Sequence, residues 1–128
     1  MKLLLDTHAF VWRVTNPDLL SAATNELIDD RGNEVLVSAA SAWEVATKTR
    51  LGKLPGGDQI VAGFAATIEL LGAKELPIAV EHGVLAGTFD VDHRDPFDRM
   101  LAAQAAREGC ILVTRDSAFE QFPVTTRW

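Results

Sequence analysis

One cysteine, Cys110, is all the thiol chemistry these 128 residues offer. That excludes an internal disulfide framework and fits a reducing compartment. Long apolar runs are missing too. None approaches the roughly 18 residues that span a bilayer, and the opening MKLLLD meets Asp6 too early for a secretory leader. These absences predict a soluble, cytoplasmic chain without a membrane partner. Basic charge is scarce: 12 Lys and Arg stand against 18 Asp and Glu, for a formal charge of −6. A generic polybasic nucleic-acid binder is therefore excluded. The three histidines, His8, His82 and His93, share no ligand spacing and read as surface or capping groups. There is no internal repeat, low-complexity tract or linker. What the chain does have is apolar content, 48% of it, enough for an ordinary globular fold. Its length predicts one domain over residues 1–128, burying roughly two-thirds of the unfolded surface.

Short apolar runs alternate with helical segments. Lys2 to Leu5 is a buried strand ending in Asp6. His8 to Val14 is a helix, stopped by the Asn16-Pro17 turn. Ser21 to Arg31 is helical, with Ser21 as N-cap and Gly32 as stop. Glu34 to Val37 is a second strand, and Ser41 to Leu51 a helix opened by Ser41. Past the Leu54–Gly57 loop, Asp58 to Leu71 reads as one helix. Lys74 to Pro77 is a short strand, and Val80 to Phe89 a helix weakened by Gly83 and Gly87. Pro96 to Glu108 is a helix with proline in its first turn and Gly109 past its end. Cys110 to Thr114 is a strand, Ser117 to Phe122 a short helix, and Val124 to Arg127 an edge strand. The alternation predicts an α/β fold, a three-layer α/β/α sandwich around a central, mainly parallel sheet.

In such sheets, sites lie outside the carboxyl ends of the strands. Asp6 and Asp116 occupy such ends, and Glu44 lies in the first turn of the helix after the second strand. Asp95 and Asp98 flank the start of the Pro96 helix, three residues apart. Five carboxylates thus map to strand ends or helix starts on one rim. Setting them aside leaves the rest of the chain nearly neutral. At about 5 Å and an effective dielectric near 20, each like-charged pair is repelled by roughly 3 kcal/mol. A divalent cation relieves that repulsion. An all-oxygen donor set points to Mg²⁺, with Mn²⁺ as substitute, and away from Zn²⁺. One or two such ions activate water and steady the leaving oxygen of a phosphodiester.

Each acid also has a plain structural role. Asp6, Asp95 and Asp116 are placed to cap helices. Ser41 and Glu44 fit a capping box, and Asp98 suits a helix dipole. Thr7 and Thr114 adjoin the acids and are candidates to orient them. Arg99 and Arg115 are the nearest cations for a phosphate, although Arg99 also suits a solvated helix face. Cys110 reads as core, and Trp12, Trp43 and Phe97 read as packing residues rather than base-stacking ones.

The motifs LLLDTHAFVW, SAASAWEVATKTRLGKL, HRDPFDRMLAAQA and ILVTRD together resemble, over the whole length, those of VapC-type toxins of the PIN-domain family. The third is the most specific. The resemblance implies an α/β/α sandwich, an Mg²⁺-dependent endoribonuclease acting on RNA, a homodimer, and a cognate antitoxin protein that blocks the site. It maps the family's acids onto Asp6, Glu44, Asp98 and Asp116, with Asp6 and Asp98 as metal ligands. Asp95 is then the supporting acid of the DPFD variant. Rival readings are a PIN-type RNA-processing nuclease without an antitoxin, and a non-catalytic module on the same fold. A phosphoryl-transfer enzyme with an Asp nucleophile fits less well, because Asp6-Thr7-His8 lacks the second acid of Asp-x-Asp.

Overall fold

The structure, a computed structural model, describes residues 1–128. Five strands form one all-parallel sheet: β1 (Lys2–Leu5), β2 (Glu34–Ser38), β3 (Lys74–Leu76), β4 (Ile111–Val113) and β5 (Thr126–Arg127). Their spatial order is β3-β2-β1-β4-β5. The helices are α1 (Thr7–Thr15), α2 (Ala22–Asp29), α3 (Ala39–Arg50), α4 (Gly57–Ala62), α5 (Phe64–Leu70), α6 (Val80–Thr88) and α7 (Pro96–Glu108).

Alternation along the strands divides the core into two layers. Leu3, Leu5, Val35, Val37 and Val113 face α1 to α5, meeting Phe10, Ile28, Val45, Ile60 and Ile68. Leu4, Leu36 and Leu112 face the other way, onto Leu101, Ala102 and Ala105 of α7 and onto Phe119 and Phe122. The expected three-layer α/β/α sandwich is what the chain forms.

Several boundaries move, each for a local reason. The single helix expected over Asp58 to Leu71 is two, broken at Gly63, whose backbone leaves helical geometry (φ −139°, ψ 47°). The helix expected from Ser41 begins at Ala39, because Ser38 at the end of β2 caps it, accepting from the Ala40 N–H at 2.9 Å. The second helix stops at Asp29, two residues early. Ser117–Gln121 winds as a 3₁₀ turn rather than an α-helix, and Cys110, buried as expected, lies just before β4. Gly109 closes α7 in the left-handed conformation at φ 67°, which favours glycine.

One buried network fixes the sheet against α3 and α7. The Ser38 hydroxyl donates to Gln104 Oε1 at 2.5 Å, and Gln104 Nε2 donates to the Pro77 carbonyl at 3.2 Å. The helices carrying Glu44 and Asp98 are thereby referred to the same strand end.

Candidate active site

The strand order reverses between β1 and β4, and ligands of open α/β sheets collect outside the strand ends at such a point. Asp6 follows β1 there. Its Oδ1 accepts from the Ala9 N–H at 2.7 Å, capping α1, and its Oδ2 accepts from the Thr114 hydroxyl at 2.5 Å. The same Thr114 oxygen accepts from the Asp116 N–H at 3.0 Å. A single hydroxyl, donor to one acid and acceptor from the other's backbone, therefore ties the ends of β1 and β4 together. Asp116 caps the 3₁₀ turn through Oδ1, which accepts from the Ala118 N–H at 2.9 Å.

Glu44 reaches the rim from α3. It is buried, and its Oε2 pairs with the Lys48 ammonium one turn on, at 2.7 Å. Lys48 is paired with Glu44. The Ser41–Glu44 capping box does not form, since the helix already started at Ala39. Ser41 instead bonds Thr7, Oγ to Oγ1 at 3.0 Å. Thr7 accordingly orients no carboxylate; it pins α1 to α3.

Asp98 lies in the first turn of α7. Asp95 caps that helix, its Oδ1 accepting from the N–H groups of Phe97 at 2.8 Å and Asp98 at 3.1 Å. His93 Nε2 bonds Asp98 Oδ2 at 2.8 Å. Arg99, the next residue, has a different task from the phosphate contact or solvated face anticipated. Its guanidinium donates to four carbonyls: Ala86, Val91 and His93 at 2.8–2.9 Å, and Phe89 at 2.7 Å. It knits the end of α6 and the following loop to α7, and so holds the backbone of the residue whose side chain holds Asp98.

Burial pushes the Asp6 carboxyl above the ordinary carboxylate range. Thr114, the Ala9 N–H and His8 pull it back, and Glu44 adds repulsion. Burial likewise raises Asp98, to about 6, against the pull of the His93 bond, with like-charge repulsion from Asp95 and Glu44. Glu44 thus acts on both Asp6 and Asp98, and Asp116 joins them through Thr114.

These residues fit a hard divalent cation. The donors are all oxygens, and Asp98 Oδ1, Asp116 Oδ2 and Glu44 Oε1 accept no hydrogen bond from the chain. The rim acids are not collapsed onto one point. The trio of potential ligands whose donor atoms all lie within 4.8 Å of one another is elsewhere, at Glu81, His82 and Glu108. A wider rim suits Mg²⁺, which keeps several waters and takes only one or two carboxylates. The compact trio is a different object. His82 Nδ1 accepts from the Ala79 N–H at 2.9 Å, so its proton is on Nε2, donated to Glu108 at 2.8 Å. That is a helix cap locked to α7, with no lone pair turned to a metal.

A cleft of about 380 Å³ opens beside Asp6 and Asp116, walled by His8, Trp12, Arg115, Ser117 and Trp128. The Arg115 guanidinium lies over the Trp12 ring, 4.5 Å from its centre. His93, His8 and Trp128 were not visible as site residues in the sequence. His8 and Trp12 had a usable signal, a spacing of four on the helix that Asp6 caps. His93 had none, because the chain turns between it and Asp98.

The cap assigned to Asp95 has a direct consequence. Asp95→Asn should leave both melting temperature and Mn²⁺ affinity within error, since Asn caps nearly as well, whereas Asp95→Ala should lose about 1 kcal/mol in a urea titration. A large loss of metal affinity in Asp95→Asn, by calorimetry, would make Asp95 a ligand instead.

Comparison with known proteins places the chain in a family. The sequence model of the PIN domain matches residues 3–124. A curated relative, Ribonuclease VapC16 of Mycobacterium tuberculosis, is 37% identical over 70 residues; the match covers 52% of this chain and 48% of that protein. This chain therefore spans about half the length of that relative. Among solved structures, VapBC2 from Rickettsia felis bound to a promoter DNA fragment superposes with a TM-score of 0.73 at 15% identity, covering 100% of this chain and 99% of that one. VapBC-1 from nontypeable Haemophilus influenzae gives 0.71 at 15% identity, covering 99% and 97%. FitAcB from Neisseria gonorrhoeae gives 0.67 at 19% identity, covering 97% and 95%. With the acids gathered at the β1/β4 reversal and the family match running nearly end to end, the chain belongs to the PIN domain family.

Proposed function

We propose that this protein is an Mg²⁺-dependent endoribonuclease, the toxin of a cytoplasmic type II toxin–antitoxin pair, with Asp6, Glu44, Asp98 and Asp116 as its acids. The observation that carries the reading is the hydroxyl of Thr114, which couples Asp6 to Asp116 where the strand order reverses, while burial holds Asp6 and Asp98 above the ordinary carboxylate range. A buried carboxyl and a half-buried one, both held above their ordinary range at one rim, mark a functional site. Asp6 and Asp98 are the proposed ligands. A divalent ion bound there supplies charge neutralisation at the phosphodiester and makes water a better nucleophile. Asp116, with Oδ2 free, faces the cleft and is placed to accept a proton from attacking water. Arg115 beside it is the nearest cation for a substrate phosphate.

The relative's name, a ribonuclease, supports RNA as the substrate. The likeness to the VapBC structures supports an antitoxin as the partner. An exposed apolar surface supports a homodimer. Trp43 of α3 packs edge-on against Phe97 yet is 61% exposed, and Val80 and Val84 of α6 are largely exposed. Such surface marks an interface more often than an idle patch.

Chelation tests the reading. RNA cleavage should stop in EDTA and return with excess Mg²⁺ or Mn²⁺, and Mn²⁺ should raise the melting temperature of the apo protein. Undiminished cleavage in chelator, or no metal-dependent shift in melting, would sink it.

A further inference from the structure

The cleft lined by Asp6 and Asp116 carries more than carboxylates. Its walls are flat rings. His8 and Trp12 sit one helical turn apart on α1 with ring centres 5.6 Å apart, and Trp128 stands edge-on to Trp12 at 5.9 Å and 73°. Arg115 lies over Trp12, its guanidinium carbon 4.5 Å from the ring centre. Trp12 and Trp128 both pack against the core on one side, so the rings are held rather than free. His8 and Arg115 are exposed.

We propose that this cleft seats one unpaired nucleobase of the RNA, next to the phosphate presented to the acids; this rests on the ribonuclease reading above. Indole faces and a guanidinium plane are the surfaces on which splayed-out bases stack. Arg115 covers the Trp12 ring, so a base stacks on the outer side of the guanidinium, backed by that indole, with Trp128 standing edge-on beside it. Arg115, stacked on Trp12, adds positive charge where a nucleotide's phosphate follows its base. The volume, about 380 Å³, lies low in the roughly 300–1,000 Å³ range of small-ligand sites. It has room for a single nucleotide. Asp6 and Asp116 line the same cleft, so a seated base keeps its own backbone at the acids. Stacking accepts any base face, so this seat selects single strands over duplexes and discriminates weakly among bases.

The test uses the full chain with Asp98→Asn, which lies outside the cleft, so that RNA binds without being cut. Probes are fluorescent 12-nucleotide poly-A and poly-U RNAs and an abasic ribose-phosphate 12-mer, read by anisotropy in Mg²⁺. Trp12→Ala and Trp128→Ala should each weaken binding of both base-containing RNAs by about tenfold or more. Trp12→Phe should restore most of the loss. The abasic probe should bind the parent weakly and be indifferent to either substitution. Urea titration followed by far-ultraviolet circular dichroism identifies any variant that has lost its fold, and Trp128→Ala stands as an independent second variant. Base-containing RNA bound equally well by parent and both alanine variants would overturn the proposal while leaving the ribonuclease reading intact. Equal competition by duplex RNA would overturn it too, as would Trp12-dependent capture of an Arg-containing peptide with RNA binding unchanged, which gives the cleft to a protein. Failure of the parent to bind any RNA, together with no cleavage by the wild type, would overturn both.

Discussion

Asp98→Asn should abolish RNA cleavage, weaken Mn²⁺ binding by about two orders of magnitude, and yet yield an apo protein more stable than the parent at pH 8. The first two effects follow if Asp98 Oδ1, the oxygen left free by His93, is a metal ligand. Groups one shell further out already cost about 10–100-fold when removed. The third effect follows from the Asp98 carboxyl, raised from 3.8 to about 6 by burial and by its acidic neighbours. A carboxyl raised by folding stabilises the fold while protonated. Its contribution is full below about pH 4, fades across the interval to about pH 6, and above that the buried charge opposes folding. Two pKa units amount to about 3 kcal/mol at most. The asparagine forfeits about 0.3–1 kcal/mol of helix-dipole interaction, so a net gain of about 1–2 kcal/mol remains at pH 8 and disappears by pH 4. Urea titrations in EDTA at both pH values, beside cleavage in Mg²⁺, measure all three. A variant that cuts RNA normally, or that unfolds more easily than the parent at pH 8, would assign the carboxylate to helix α7 rather than to chemistry.

Much of this arrangement is written locally and so could be read from the sequence. Asp6 ends an apolar run, Asp116 follows another, and Asp95-Pro96 with Gly109 brackets α7 as caps and stops should. The pairing of Thr114 with an acid was also anticipated, and the hydroxyl does bond Asp6. What escaped is written between elements. Ser41 and Glu44 match a capping box in every local respect, but Ser38 starts the helix earlier and Ser41 turns to Thr7, 34 residues away. A single glycine inside an apolar helix costs only about 1 kcal/mol, so Gly63 carries no local signal of the break found there. Trp12 was read as packing, which it is on one side; its other side became visible only once β4 and β5 brought Arg115 and Trp128 against it.

Arg99 is the sharpest case, and it carries the largest expected loss of stability. Arg99→Ala should destabilise the protein by about 3–5 kcal/mol, a large share of the roughly 5–15 kcal/mol available to a domain. The guanidinium spends four of its five N–H donors on the carbonyls of Ala86, Phe89, Val91 and His93. Hydrogen bonds to a charged group are worth about 1.5–3 kcal/mol each where water is excluded. Arg99 is only partly buried, so water reaches some of the released carbonyls and the sum falls below four full bonds. Arg99→Lys should recover less than half, because an ammonium is a point and cannot span carbonyls held in a planar fork. The damage should extend to Asp98. With the His93 carbonyl released, the imidazole loses its place on Asp98 Oδ2, and Mn²⁺ affinity of the folded Arg99→Lys protein should fall about as far as that of His93→Ala. Combining the two substitutions should add little, since both act through one contact. The alternative, Arg99 as a phosphate contact, makes opposite predictions: unchanged urea midpoints, unchanged Mn²⁺ affinity, and a salt slope of RNA binding shallower by about one unit. Urea titration, Mn²⁺ calorimetry and RNA anisotropy on the single and double variants decide between them, and a stable Arg99→Lys protein with full metal affinity would remove the clasp from the site.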